Sequence, residues 1–295
     1  MVEKKASSLK AKKPEAVIAA RPKFMISGAS GIGKTLFAMG FPNPYFIDTE
    51  GGGTREQYQN KLKQNGGVYF GKEEGSQDFQ AIINEIKLLI TEKHSYKTLV
   101  IDSFSYLYML EAARAEQEMG SDFGKDKKEA NKPTRQLIRW IEKLDMTIIL
   151  ICHSKEKWVR RGKEVYSEGK TFDGYDKLEY LLDLWIEIPD RKHFLVKKSR
   201  VDSLPQGQEF ELQYDKFADI YGKAVIEKST EPLIMASAEQ VANLNALLEV
   251  VKIEPEKLDK LMAKADADTY DDLTADQITK LIVYVQDKLP KGAKK

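Results

Sequence analysis

The stretch "PKFMISGASGIGKT" (22–35) decides the fold. Phe24-Met25-Ile26 reads as a buried strand, and it breaks into "GASGIGKT" (28–35), which fits G-x-x-x-x-G-K-[ST] in full. A strand before the motif and a helix after it are the context that gives it meaning. Gly28, Gly31 and Gly33 let backbone N–H groups turn inward around phosphate oxygens, with Ala29, Ser30 and Ile32 completing the loop. Lys34 carries its charge to the β- and γ-phosphates, and the Thr35 hydroxyl is a ligand for Mg²⁺. The sequence therefore predicts a site for a nucleoside triphosphate with Mg²⁺.

A metal beside Thr35 needs a carboxylate at the end of a neighbouring buried strand. "TLVID" (98–102) supplies Asp102. A second strand, in "PYFIDTEGGGT" (44–54), runs into Asp48, Thr49 and Glu50 and then three glycines. Strand-end carboxylates often satisfy only local backbone donors. At the carboxyl edge of an open α/β sheet, though, Glu50 is placed to orient and deprotonate a water attacking the γ-phosphate. Asp48, assigned to the opposite side of the strand, is read as structural.

Composition narrows the rest. The chain has 295 residues with 47 basic and 46 acidic side chains, so global charge names no partner. Residues 1–23 nevertheless hold seven Lys/Arg against two Glu, and 235–290 hold six Lys against eleven Asp/Glu. A basic arm and an acidic terminal segment thus bracket a balanced middle. Cys152 is the lone cysteine, which excludes an intrachain disulfide. That favours a reducing, cytoplasmic setting. Apolar runs such as "TIILIC" (147–152) are too short to span a bilayer.

Along the chain, residues 1–21 are expected to be a disordered basic arm, 22–231 an ATPase core, and 235–290 a helical interaction domain. Apolar strands alternating with amphipathic helices at 76–93, 104–119 and 134–146 predict a mainly parallel sheet covered on both faces. A polar loop is expected over 120–133. "LWIEIP" and "HFLVKKS", joined by "DRK", predict a hairpin at the sheet edge. Ser237 and Thr274 open the first and last helices of the C-terminal segment as N-caps.

Five stretches in this order, "GASGIGKT", "YFIDTE", "TLVIDS", "TIILICHSKEK" and "FLVKKSR", resemble the RecA-like recombinase and helicase core. The chain looks most like phage nucleotide-binding proteins with a compact RecA-type ATPase, some of them associated with single-strand annealing. The resemblance spans about 22–230 and implies a RecA-like P-loop NTPase core, α/β in class, plus a small C-terminal helical domain. It implies a γ-phosphate sensor at His153, where larger recombinases commonly carry Gln; a satisfied strand-end histidine is the plainer alternative. It places a DNA-binding loop just after that strand, at Lys155, Lys157, Trp158, Arg160, Arg161 and Lys163. Cations there can neutralise phosphates and an aromatic face can stack on an unpaired base; "WVRRGKEVY" also reads as a plain hairpin. Finally, it implies that Lys198 and Arg200 reach the ATP site of a neighbouring subunit in a homo-oligomer.

The resulting expectation is an ATPase acting on single-stranded DNA in phage recombination or replication, with the helical segment recruiting a phage or host replication or recombination protein. A nucleotide-gated loader with little hydrolysis and a small-molecule kinase are the alternatives.

Overall fold

The computed structural model describes residues 20–119 and 125–289. In chain order the core begins β1 (Lys23–Gly28), α1 (Lys34–Ala38), β2 (Pro44–Asp48), α2 (Glu56–Gln64), β3 (Val68–Phe70), α3 (Phe79–Thr91) and β4 (Thr98–Asp102). It continues α4 (Phe104–Met119), α5 (Lys125–Lys143), β5 (Thr147–Arg161), β6 (Glu164–Phe172), α6 (Leu178–Leu181), β7 (Leu184–Ile188), β8 (His193–Ser199), β9 (Glu209–Glu211), α7 (Tyr214–Tyr221) and α8 (Lys223–Glu227). The sheet order is β3-β2-β4-β5-β1-β7-β8-β9, with β6 paired to β5. Strands β3 through β7 along that path are parallel, and β8 and β9 are antiparallel additions.

Alternation along each strand sends side chains to both faces. Met25 joins Ile83, Ile86, Leu107 and Ile141 in the cluster under α3, α4 and α5. Its neighbours Phe24 and Ile26 face the other way, packing with Phe37 of α1, Phe41 just beyond it and Phe217 of α7. Burial on two faces is why these strands read as unbroken apolar runs. The architecture is a mixed α/β P-loop NTPase fold.

The structure departs from the sequence reading in three places. Helix α5 starts at Lys125, so the polar loop expected over 120–133 is helical from 125, while 120–124 lies outside the described residues. Pro133 removes one helical N–H, yet the helix runs across it, anchored on its C-terminal half by buried Thr134, Leu137, Ile138 and Ile141. The β7–β8 hairpin forms, but β9 adds outside it and takes the edge. Strand β3, which no reading of the sequence anticipated, forms the opposite edge with only three residues. As for the basic arm, residues 1–19 lie outside the described part, whereas Arg21 is buried. Its guanidinium donates to the carbonyls of Ile226 and Lys228.

After the core come α9 (Ala238–Val250), α10 (Pro255–Lys264) and α11 (Ala275–Gln286). Ser237 and Thr274 cap α9 and α11 through reciprocal bonds with Gln240 and Gln277. The three helices share an apolar cluster built on Leu244, Met262, Ile278 and Val285. They rest against α3 and α5 through Asp272, whose carboxylate meets Lys87 at 3.2 Å and whose carbonyl accepts from Lys143 at 2.9 Å. Both ammonium groups lie over the Trp140 ring. Among the described residues no helix is long and apolar enough to cross a membrane.

Candidate functional site

The carboxyl ends of β2, β4 and β1 meet the middle of β5, where it leaves the core, at one edge of the sheet. Register places Gly28 beside His153 and Asp48 beside Asp102. The phosphate loop leaves β1 there, and its backbone needs Gly33, whose φ of +119° lies where a side chain would be strained. The Lys34 ammonium donates to the carbonyls of Gly28 and Ala29, both at 2.8 Å, so the loop closes around its own cation. Burial lowers the pKa of Lys34, against the opposing pull of Asp102 and Glu50.

Thr35 and Asp102, 67 residues apart in sequence, touch: the Thr35 hydroxyl donates to Asp102 Oδ2 at 2.6 Å. Burial pushes the Asp102 carboxyl up to about 6, with the charges of Glu50 and Asp48 adding to it. A hydroxyl and a carboxylate side by side, the latter short of positive charge, fit a hard divalent cation with oxygen ligands. Asp102 precedes Ser103 through a cis peptide bond.

Asp48 and Glu50 take separate jobs. Residues two apart on a strand share a face, so their divergence comes from the chain leaving β2 after Asp48. Asp48 is buried and turns toward β3, accepting from the N–H groups of Gly51 at 2.8 Å and Gly53 at 2.7 Å and from the Tyr69 hydroxyl at 2.9 Å. That explains one of the three glycines: a Cβ on Gly53 would lie 2.9 Å from Asp48 Oδ2. Glu50 turns the other way, toward β4 and β5. Its Oε1 accepts from the Ser103 hydroxyl and lies 2.7 Å from His153 Nε2.

The candidate base and the candidate sensor are thus in direct contact. The His153 hydrogen bond lowers the Glu50 pKa, despite partial burial, and Glu50 in turn raises that of His153. Each stabilises the charged form of the other. Second interactions hold the pair: the His153 N–H donates to Ser105 Oγ at 2.8 Å, and Thr49 exchanges bonds with Ser103 at 2.8 and 2.9 Å. The Cys152 thiol is fully buried and pushed up to about 12, which leaves it no nucleophilic role.

From the phosphate loop a cleft of about 1090 Å³ runs along α1 between α2 and α7, with Tyr58, Tyr214, Gln57, Gln213 and Arg191 among its walls. Sequence reasoning missed these side chains and Ser103 alike. Tyr58 on α2 and Tyr214 on α7 are 156 positions apart and come together only as walls of this cleft. Ser103 had a faint signal, as the hydroxyl residue directly after the strand-end Asp102.

The remaining expected site residues lie elsewhere. Lys155, Lys157, Trp158, Arg160, Arg161 and Lys163 gather on the β5–β6 hairpin, with a two-residue loop at Gly162-Lys163. Lys155 pairs with Asp173, while Lys157 and Arg161 share Glu168. Lys198 and Arg200 sit at the far end of β8. Lys198 is in register with Trp185 on β7, whereas the phosphate loop begins level with Ile188, roughly 10 Å further along. The Lys198 ammonium donates to the Leu182 carbonyl and the Arg200 guanidinium to that of Tyr180. Both cations are thus engaged at the end of the sheet away from the phosphate loop.

Fold and site together define a P-loop ATPase. A family profile described as an AAA domain matches residues 20–203, and the chain belongs to that family. No curated protein matches it.

Proposed function

We propose that the chain hydrolyses ATP at this edge and couples hydrolysis to single-stranded DNA in phage recombination or replication. The grouping of Thr35 of α1, Asp102 at the end of β4, Glu50 just beyond β2 and His153 of β5 beside the phosphate loop carries the proposal. The triphosphate lies on the loop, with Lys34 exchanging the Gly28 and Ala29 carbonyls for phosphate oxygens. The base and ribose enter the cleft between Tyr58 and Tyr214, a volume suited to them. Thr35 and Asp102 are the residues to hold Mg²⁺, which neutralises phosphate charge when bound.

Glu50, ionised at neutral pH, orients a water and takes its proton as the water oxygen attacks the γ-phosphorus. The bond from that phosphorus to the bridging oxygen breaks and ADP leaves with the electron pair. His153, whose protonated form Glu50 favours, donates to a γ-phosphate oxygen. Lys198 and Arg200 act in trans, reaching the site of the next subunit of a homo-oligomer, where added positive charge stabilises the transferring phosphoryl group.

One observation favours a second reading. Glu50 is already occupied by His153 and Ser103. If that contact persists with ATP bound, the chain is a nucleotide-gated loader with little turnover. Phosphate release with and without single-stranded DNA separates the two: the ATPase reading predicts stimulation, and the loader reading predicts binding without release.

A further inference from the structure

We propose that the β5–β6 hairpin meets single-stranded DNA through one face only, the face that carries Trp158, Arg160 and Val165. This deepens the DNA reading above and rests on it. The pairs Arg160–Val165 and Trp158–Ser167 put these side chains on one side of the ribbon, and Val159–Tyr166 and Arg161–Glu164 put theirs on the other.

The two sides differ in how their cations are paired and in exposed apolar surface. On the second side, Lys157 and Arg161 converge on Glu168 at 3.2 and 2.8 Å, and the Tyr166 hydroxyl is engaged by Glu164. Two cations and two carboxylates leave that side neutral and internally satisfied. On the first side Arg160 has no ion pair among the described residues, so its charge is free for a phosphate. Trp158 is 64% exposed and Val165 is 59% exposed. They are diagonal neighbours across the ribbon, near enough to form one apolar step. The only carboxylate there, Glu156, accepts from Ser167 at 2.7 Å.

An apolar step of two side chains is far smaller than a stable protein interface, which buries more than about 1,000 Å². It does match one unpaired base lying flat on an indole with its phosphate on a nearby guanidinium. The ligand is therefore a base with its phosphate, and the other face positions the ribbon by its ion pairs.

The test is binding of labelled oligothymidylate to the full chain, followed by anisotropy over a salt series. Trp158→Ala should weaken binding about tenfold or more, and Trp158→Phe should restore most of it. Val165→Asp should weaken it severalfold, and Arg160→Gln should lower the salt slope by about one. The charge-conserving pair Lys157→Gln with Glu168→Gln, and Tyr166→Ser, should stay within about twofold. Trp140 and Trp185 are buried, so DNA quenching of intrinsic fluorescence should come from Trp158 and vanish in Trp158→Phe. Equal losses from substitutions on the two faces, or no loss from Trp158→Ala and Val165→Asp, would overturn the one-face assignment. A smaller assembly for Trp158→Ala without DNA would assign the face to a second copy instead. A parent chain that fails to bind oligothymidylate at all would overturn the DNA reading itself.

Discussion

Strand β5 is one strand with two lives. Thr147 through Cys152 are all buried between helices on both faces, whereas from His153 to Arg161 no residue is buried. The first half draws its stability from the core; the second is a ribbon held by its cross-strand ladder and a few ion pairs. His153 stands at the junction, in contact with Glu50. The division teaches that the proposed chemistry is anchored where the buried half ends, while whatever the ribbon touches can vary at little cost to the fold.

The largest effect should fall at the phosphate loop, which leaves the strand beside that buried half. Lys34→Ala should cost about 2–5 kcal/mol of ATP affinity, the scale of removing one partner from a buried charge pair. Titration calorimetry reads it directly, and unchanged affinity would mean the triphosphate lies elsewhere. Next comes the far end of β8. Arg200→Ala should retain ATP binding and lose DNA-stimulated turnover, and mixing it with Glu50→Gln subunits should restore part of the activity. Turnover per subunit that stays constant down to a demonstrated monomer would remove the role in trans.

A smaller effect concerns pH. The Asp102 pKa is raised to about 6 from the ordinary 3.8, so ionising it disfavours the folded chain, a penalty absent below about 3.8 and complete above about 6. Asp102→Asn should therefore stabilise the nucleotide-free protein at pH 8 by at most about 3 kcal/mol. The gain in melting temperature should shrink as pH falls below 6, even though hydrolysis is lost. A variant less stable than the parent at pH 8 would show that the carboxylate is better paired than its surroundings suggest.

The smallest effect tests the exposed half. Replacing residues 157–168 with a tight Gly-containing turn should leave ATP affinity unchanged and move the melting temperature by no more than a few degrees, because no buried apolar side chain is removed. A cooperative loss of stability would erase the contrast within β5.

What the sequence made legible follows the same contrast. Parallel strands with apolar residues on both faces, a phosphate loop of fixed spacing and strand-end carboxylates are local patterns, and Lys34, Thr35, Asp102 and Glu50 could be picked out from them. The Glu50–His153 contact spans 103 positions and depends on how the chain turns after Asp48, which no periodicity encodes. Tyr58 on α2 and Tyr214 on α7 come together only as walls of one cleft. On the hairpin the count of cations was visible, but Glu168, which neutralises two of them, lies across the ribbon. Strand β3, at three residues, is too short to show an alternation of its own.

The central claim is that Glu50 is the base of an ATPase. It is tested most directly by measuring ATP binding and phosphate release for Glu50→Gln beside the parent, with and without single-stranded DNA. Glutamine keeps the size and can still bond to Ser103, so the fold and ATP affinity should be unchanged. Release should fall at least about a hundredfold, the scale of a general base. Turnover near the parent rate with intact binding would contradict the assignment and leave Glu50 as a strand-end carboxylate that only holds His153 in place.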